Sequence, residues 1–510
     1  MKLIKHFFYF LMPQRYWVLA LCSGAMITLS QAPFQWPILA FIGLGSFFAL
    51  LISQTSHSRW TQIGFLFGIG YFATNIYWVA ISVHLFTNTW IVSILLTIIM
   101  VLILACFTAF FAWVSAFFRH RKEQIVIWLP LFWALTELLR GFFITSFPWG
   151  LIGYSQTTTV LAYYASIGSV YFVGFLVALI SALWVQVLFR QQRSLMLVNA
   201  FIITSSLYFG GYLIGQTQQS HQHYKTISVA LVQGNYTQNK KWAASQRAPI
   251  LSYYAQTTQN HPADVIIWPE NALPLFASDI PSYLQKINQI GQQQNSAIVV
   301  GILQAKEIDH QMHYYNTLQV FGDGQGDYVK SHLVPFGEYF PFPSISIPIM
   351  HWLNMPISQF TEGGHHQPLL QLNQHPVAAF ICYESAFPFQ VRQQSKHAEY
   401  LVISSDDGWF GDSLAPWQHL QIAQMRAIEV HRYIAQTTNS GITAVIRPDG
   451  SIQKIIAPNQ QNVLVDYVQP RQQKTLWSMI GPWFLGGFLL LWALFGRFVN
   501  ICKKQRSRLK

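Results

Sequence analysis

The chain has 510 residues, 52% of them hydrophobic and only 10% charged, with a formal charge of +12. Soluble domains carry about 25% charged residues, so the composition excludes an ordinary soluble protein and points to a membrane. The basic excess does not mark a nucleic-acid binder either: residues 216–474 hold 15 Lys and Arg against 17 Asp and Glu, the remainder holds 16 against 2, and nucleic acid needs a basic patch on a folded face.

A helix crosses a bilayer in roughly 20 apolar residues. In chain order, such stretches fall at about 16–32, 36–53, 60–83, 90–118, 125–144, 161–189, 195–215 and 476–498, with Pro33 and Pro37 separating the first two. The first is read as a span and not as a cleaved signal peptide, because more spans follow at once and no small-residue cleavage site stands out. Lys2, Lys5 and Arg15, then Arg59, then Arg119, Arg121 and Lys122, then Arg190 and Arg193, and finally the tail from Lys503 to Lys510 all fall on one side of this pattern. Basic residues stay in the cytoplasm, so both termini are expected there and residues 216–474 outside. The expected division is a seven-helix transmembrane domain over 1–215, an extracytoplasmic domain over 216–474, and an eighth helix with a basic tail over 475–510. Glu137 and Arg140, three residues apart, share one helical face. Charges at that depth are rare and often functional; pairing with each other is the leading reading and phospholipid head-group binding the second.

Within 216–474, short apolar runs alternate with polar helix-like segments. Strands are expected at Ile227 to Val232, Asp264 to Trp268, Ala297 to Leu303, Thr317 to Phe321, Pro376 to Ile381, Tyr400 to Ser404 and Gly441 to Ile446. Helices are expected at Pro281 to Gln293, capped by Asp279, and at Trp417 to His431. This alternation predicts a layered α/β domain, tethered to the membrane part by polar segments at 216–224 and 469–475. Residues 339–361 are apolar and broken by prolines, which is uncommon for a water-facing loop unless it acts as a lid or touches lipid. The expectation is a lipid-facing mouth carrying Trp352 and Phe360, the alternative being simple packing on membrane helices.

Cys22 and Cys106 lie in expected spans and Cys502 in the tail, leaving Cys382 as the one cysteine of the outward domain. A lone thiol in an oxidising compartment is buried or employed. It ends an apolar strand, as Glu270 ends Val265-Ile-Ile-Trp-Pro-Glu270, and Lys330 closes a similar segment. Strand ends are where catalytic groups gather in open α/β sheets. Singly, Glu270 is as well read as a solvated carboxylate, Lys330 as a surface cation and Cys382 as inert packing. Together they are a base, a cation and a nucleophile, and the first two are expected to lower the thiol's effective pKa. His221, His223, His365 and His366 sit in Gln- and Gly-rich settings without a nearby cysteine, so no metal and no cofactor is expected.

Trp268-Pro-Glu270-Asn, Lys330-Ser-His332-Leu-Val-Pro-Phe-Gly-Glu338-Tyr and Cys382-Tyr-Glu384 resemble the Glu-Lys-Cys segments of the nitrilase superfamily, in particular its membrane-embedded branch, the apolipoprotein N-acyltransferases. The resemblance extends through Trp409-Phe-Gly-Asp-Ser413, Pro416-Trp-Gln-His419, Thr438-Asn-Ser-Gly441 and, in the membrane part, Phe147 to Gln156. Asp406 departs from it, since many relatives are expected to carry Asn there. The resemblance implies an αββα nitrilase-like domain on the periplasmic face of a bacterial inner membrane. It implies transfer of a fatty acyl chain from a phospholipid to the α-amino group of an apolipoprotein's diacylglyceryl-cysteine, through a thioester on Cys382. Glu270 would be the base, with Lys330 and the Tyr383 N–H stabilising the oxyanion. The resemblance marks Glu338 and Glu384 as needed for activity, and links Trp242 to substrate binding. A membrane amidohydrolase with water as acceptor and a non-enzymatic lipoprotein-binding module are the rival readings.

Overall fold

The computed structural model describes residues 13–120, 124–142, 146–189, 193–218, 225–352 and 359–508. It divides into a helical unit, Met1–Ala80 with Ile91–Thr217 and Ile480–Lys510, and an α/β unit, Gln218–Met479 joined by Ile81–Trp90.

In the helical unit, Trp90–Ala116, Ile125–Phe142, Val160–Phe189, Arg193–Gln218 and Leu476–Val499 are long and apolar enough to cross a bilayer. The first two expected spans are shorter helices, Pro13–Leu29 and Ile38–Ile52, of 17 and 15 residues. The third, expected to be continuous, is two helices, His57–Asn75 and Val79–Thr87, bent by 63°. Polar groups make the break possible: Asn75 spends its side chain on Gln31 and accepts the Trp78 indole N–H at its own carbonyl. Helix Arg193–Gln218 runs on into the segment expected to be a polar tether; that tether's remainder, residues 219–224 with His221 and His223, lies outside the described residues.

Glu137 and Arg140 are both buried and hold a loop. Arg140 donates to the carbonyls of Phe147 and Trp149, at 2.9 and 2.6 Å, while Glu137 accepts the Ile152 N–H at 2.7 Å. Non-helical backbone survives beside lipid only where its polar groups are satisfied, and these two side chains do that for the Phe147–Gln156 motif.

The α/β unit contains, among the described residues, two seven-stranded sheets. In the first the order is Asn462–Val468, Ile227–Gln233, Val265–Ile267, Ala297–Ile308, Gln311–Gly322, Asp327–Val329, with Leu273–Phe276 also on Ala297–Ile308. The second runs Ile452–Ile456, Thr443–Ile446, Ile434–Thr438, Tyr400–Ser405, His375–Ile381, Leu370–Leu372, Gly324–Gln325. Side chains alternate across a strand, and both faces here are covered. Val229, Leu231, Ile267 and Val299 pack against Val377, Ala379, Ile381 and Val402 between the sheets. Their neighbours Ala230, Val232, Ile266 and Ile298 face outward onto Ile250, Tyr254, Leu284 and Ile287 of helices Arg247–Asn260 and Pro281–Gln294. Ala378, Phe380, Leu401 and Ile403 likewise meet Leu420, Ala423 and Ala427 of helix Ala415–Val430. The result is four layers, αββα, and each fully buried Val, Leu or Ile contributes about 1.5–3 kcal/mol.

Two local expectations are corrected. Asp279 does not cap helix Pro281–Gln294: it belongs to the turn Ala277–Asp279, and Ile280 is the cap residue. Part of the 339–361 stretch is helical, Pro343–Trp352, started by Pro343, whose fixed φ suits a first helical turn, with Phe342 and Ile345 left 61 and 64% exposed.

The parallel strands Ile227–Gln233, Val265–Ile267 and Ala297–Ile308 carry Glu270 just past their carboxyl ends. Gly301 makes that placement possible, because a Cβ there would lie 2.0 Å from the Pro269 carbonyl oxygen and 2.9 Å from the Glu270 Cα. Gly301→Ala is therefore expected to displace Glu270 and lower turnover about 100-fold, the cost of a 1 Å misplacement. A turnover assay beside a melting curve checks this, and unchanged turnover would contradict it.

Candidate active site

Four strand ends converge. Glu270 follows Val265–Ile267, Lys330 follows Asp327–Val329, Cys382 follows His375–Ile381, and Asp406 follows Tyr400–Ser405. All four are 8% exposed or less.

Lys330 lies between two carboxylates. Its Nζ is 3.1 Å from Glu270 Oε1 and 2.8 Å from Glu338 Oε1. Asn316 Nδ2 bridges the same two oxygens at 2.7 and 3.2 Å. The remaining oxygens are also engaged: Glu270 Oε2 accepts the Asp406 N–H at 2.9 Å and Glu338 Oε2 the Val334 N–H at 2.8 Å. Burial works to lower the Lys330 pKa, but Glu270 and Glu338 outweigh it and hold the ammonium well above its ordinary range. The cation therefore persists at neutral pH.

Glu384 is fully buried and ties the Lys330 loop to the Cys382 strand. It accepts from the Ser331 and His332 N–H groups at 2.7 and 3.1 Å, from the Ile381 N–H at 2.7 Å, and from Tyr328 Oη and Gln390 Nε2. Bonds to an ionised group contribute about 1.5–3 kcal/mol each, so this carboxylate fixes how far Lys330 can stray from Cys382.

Cys382 itself adopts φ +54°, the left-handed region that non-glycine residues avoid at a cost of roughly 1–3 kcal/mol. There the chain turns from strand into the 3-10 segment Cys382–Ala386. Burial pushes the thiol pKa up, Glu270 and Asp407 push it further, and Lys330 opposes them without prevailing. The sequence expectation of a lowered thiol pKa is thus reversed for the resting site, because burial first, and then the carboxylates of Glu270 and Asp407, outweigh the Lys330 ammonium. Cys382 rests as a neutral thiol.

Beside this cluster is a second buried ion pair. Lys241 Nζ bonds Asp406 Oδ2 and lies 3.4 Å from the Glu270 carbonyl, and Asn439 donates to Asp406 Oδ1. Asp406, left without a role at the sequence level, thus holds Glu270 through its own N–H and positions Lys241. Lys241, Asn316, Asp407 and His419 were not singled out either. A lysine among Gln238-Asn-Lys-Lys241 and an asparagine in a long strand carry no local mark of burial.

Of the expected substrate contacts, Trp242 is 43% exposed, its indole N–H on Gln238 and its ring 5.9 Å from Lys241 Nζ. Phe360 is half-buried, its N–H on the Glu338 carbonyl at 2.8 Å. Trp352 ends helix Pro343–Trp352, and its side chain lies outside the described set. His366 bonds Gln393. Within the α/β unit, Phe86 stacks on Trp409, rings 4.6 Å apart and 2° from parallel, and Ser82 donates to the Trp409 carbonyl.

Residues 228–474 match the Carbon-nitrogen hydrolase family, so the α/β unit is a nitrilase-like domain. Residues 23–183 match the Apolipoprotein N-acyltransferase N-terminal domain. The chain is 35% identical over 463 residues to the apolipoprotein N-acyltransferase of Coxiella burnetii, covering 90% of this chain and 95% of that one. It is 36% identical to the one from Photobacterium profundum, covering 94 and 93%. It belongs to the apolipoprotein N-acyltransferase family, whose members are enzymes and multi-pass membrane proteins. Among solved structures, a carbon-nitrogen hydrolase from Helicobacter pylori G27 aligns with TM-score 0.38 at 15% identity, over 48% of this chain and 89% of that one.

The raised thiol pKa has a direct consequence. The thiolate fraction grows tenfold per pH unit until the pKa is passed, so alkylation of Cys382 by iodoacetamide, followed by peptide mass spectrometry, is expected to be slow at pH 7 and still accelerating above the ordinary thiol value of 9.0. A rate that levels off below about pH 8, in the range of activated cysteines, would contradict the neutral resting thiol.

Proposed function

We propose that the protein transfers a fatty acyl chain from a membrane phospholipid to the α-amino group of the diacylglyceryl-cysteine that begins an apolipoprotein, by way of a thioester on Cys382. The observation that carries the reading is the meeting of Glu270, Lys330 and Cys382 at strand ends in a chain of this family. The composition and apolar helices supply the reason that the donor is a lipid.

In the first half, Glu270 takes the Sγ proton as sulfur attacks the ester carbonyl carbon. The charge that forms on the carbonyl oxygen is met by Lys330 and the Tyr383 N–H, donors of the kind whose loss costs about 10²- to 10³-fold in rate. The C–O bond then breaks, and Glu270 returns its proton to the departing lysophospholipid alkoxide. In the second half the acceptor amine attacks the thioester and Glu270 takes the amine proton; as the C–S bond breaks to give the amide, Glu270 passes that proton to the departing sulfur and the thiol is restored. A thiol that rests neutral suits this cycle, since it loses its proton only when a donor ester is seated against it. Glu338 keeps Lys330 aimed, and Glu384 keeps the Lys330 loop against the nucleophile. Trp242, Trp352 and Phe360 would contact the lipid-bearing substrates.

The arrangement in the cell follows from charge. With the Lys- and Arg-rich connections in the cytoplasm, seven helices over 1–215 and one over 475–510 would leave 216–474 in the periplasm of a cell with an inner membrane. The two helices shorter than a full span would fit a tilted or locally thinned setting.

Purified protein given phospholipid with a labelled acyl chain and a diacylglyceryl-cysteine peptide is expected to yield N-acyl peptide and lysophospholipid in equal amounts, and none with Cys382→Ser. Free fatty acid as the main product, with the peptide unmodified, would instead make the protein a hydrolase.

A further inference from the structure

Behind the nucleophile lies an ionisable pair that the reaction above does not use. His419, on helix Ala415–Val430, is completely buried. Its Nδ1 is 2.9 Å from Asp407 Oδ1, and its Nε2 is 3.2 Å from the Cys382 carbonyl oxygen and 2.9 Å from Ser385 Oγ. Ser385 Oγ in turn donates to the Cys382 carbonyl at 3.0 Å. Asp407 Oδ1 also accepts from Ser405 Oγ at 2.7 Å. Gly441 leaves room for this carboxylate, since a Cβ there would lie 2.4 Å from Asp407 Oδ2.

Nδ1 of His419 faces a carboxylate, and Nε2 faces a carbonyl and a hydroxyl. With the Ser385 proton spent on the Cys382 carbonyl, Nε2 bonds both oxygens only as a donor, so the arrangement that makes all of these bonds carries a proton on each ring nitrogen. Burial works against the charge, but Asp407 and the Cys382 carbonyl raise the His419 pKa above its usual 6.5, with Glu270 contributing in the same sense. The imidazolium and the Ser385 hydroxyl grip one peptide carbonyl, that of the residue held at φ +54°. A strained conformation persists only where its surroundings over-determine it. The Cys382 carbonyl belongs to the same peptide plane as the Tyr383 N–H, so fixing the one orients the other.

We propose that His419, clamped by Asp407, is a positioning residue for the acyl transfer: it locks the Cys382–Tyr383 peptide so that Sγ points at the ester carbon while the Tyr383 N–H points at the oxyanion. The inference rests on the assignment of Cys382 as the nucleophile. Ser385 is the weaker partner in the same grip. No atom of His419 exchanges with substrate, so its removal acts on the chemical step and not on lipid binding.

The test is single-turnover formation of the Cys382 acyl thioester from phospholipid vesicles, followed by intact-protein mass spectrometry in wild type, His419→Gln and Ser385→Ala. His419→Gln is expected to slow acylation about 10- to 100-fold, the range for a displaced reacting group, with the donor KM within about twofold. Ser385→Ala is expected to slow it about 3- to 10-fold with the same unchanged KM, because one donor remains. His419→Leu, which keeps bulk but no donor, should be slower than His419→Gln. Acylation rates within twofold of wild type, or a loss confined to KM, would overturn the proposal. Should His419→Gln fail to fold, Ser385→Ala, a smaller change, decides by the same two criteria. A wild-type protein that forms no adduct on Cys382 would overturn both the nucleophile assignment and this inference, whereas adduct formation at equal rate in all variants would overturn the inference alone.

Discussion

Everything around Cys382 is arranged about one ammonium shared by two carboxylates. Removing three charges from water costs several kcal/mol per ion, and Lys330, Glu270 and Glu338 offset that cost only because every carboxylate oxygen also receives an N–H donor, from Asn316, Asp406 or Val334. Those donors lie on a long strand, on the turn after Tyr400–Ser405 and in the Lys330 loop. The electrostatic need of one lysine therefore fixes the relative positions of both sheets' carboxyl ends.

Glu384 and the Asp407–His419 pair extend the same logic. Both are buried ionisable groups bonded to backbone beside Cys382, Glu384 to the Ile381 N–H and His419 to the Cys382 carbonyl. Buried ion clusters are weak evidence for stability in themselves, since apolar replacements often serve as well. Their use here is geometric: they hold a left-handed cysteine, a lysine and a glutamate from three separate segments in one constellation. At sulfur, burial and the carboxylates of Glu270 and Asp407 outweigh the Lys330 ammonium, so the thiol stays neutral.

The parts legible in the sequence were those written by hydrophobicity and by short motifs. The central strands read as continuous apolar runs because both faces are buried, Val229 and Leu231 to one side and Ala230 and Val232 to the other. Edge strands such as Asn462–Val468 and Gly324–Gln325 have one face in water or only two residues, and their pattern is too thin to mark them. The break at Asn75 was hidden for a different reason: it depends on Gln31, 44 residues away, accepting the Asn75 amide. Glu270, Lys330 and Cys382 stood out by residue type at strand ends, whereas Lys241 carried no mark and His419 stood only at the end of a motif, its partners visible once folding had buried it. The direction of the Cys382 pKa shift could not be read from composition, because it depends on how two carboxylates and burial compete with one ammonium.

The central claim is that this shared ammonium serves the charge developing on an ester held by Cys382. Its most direct test is the rate at which phospholipid acylates Cys382 when Lys330 is replaced by methionine and, separately, when Glu270 is replaced by glutamine, with the adduct located by peptide mass spectrometry. The account predicts an adduct on Cys382 in the wild-type protein, slowed about 10²- to 10³-fold by Lys330→Met and absent in Glu270→Gln. An adduct on another residue, or acylation by Lys330→Met at the wild-type rate, would contradict it.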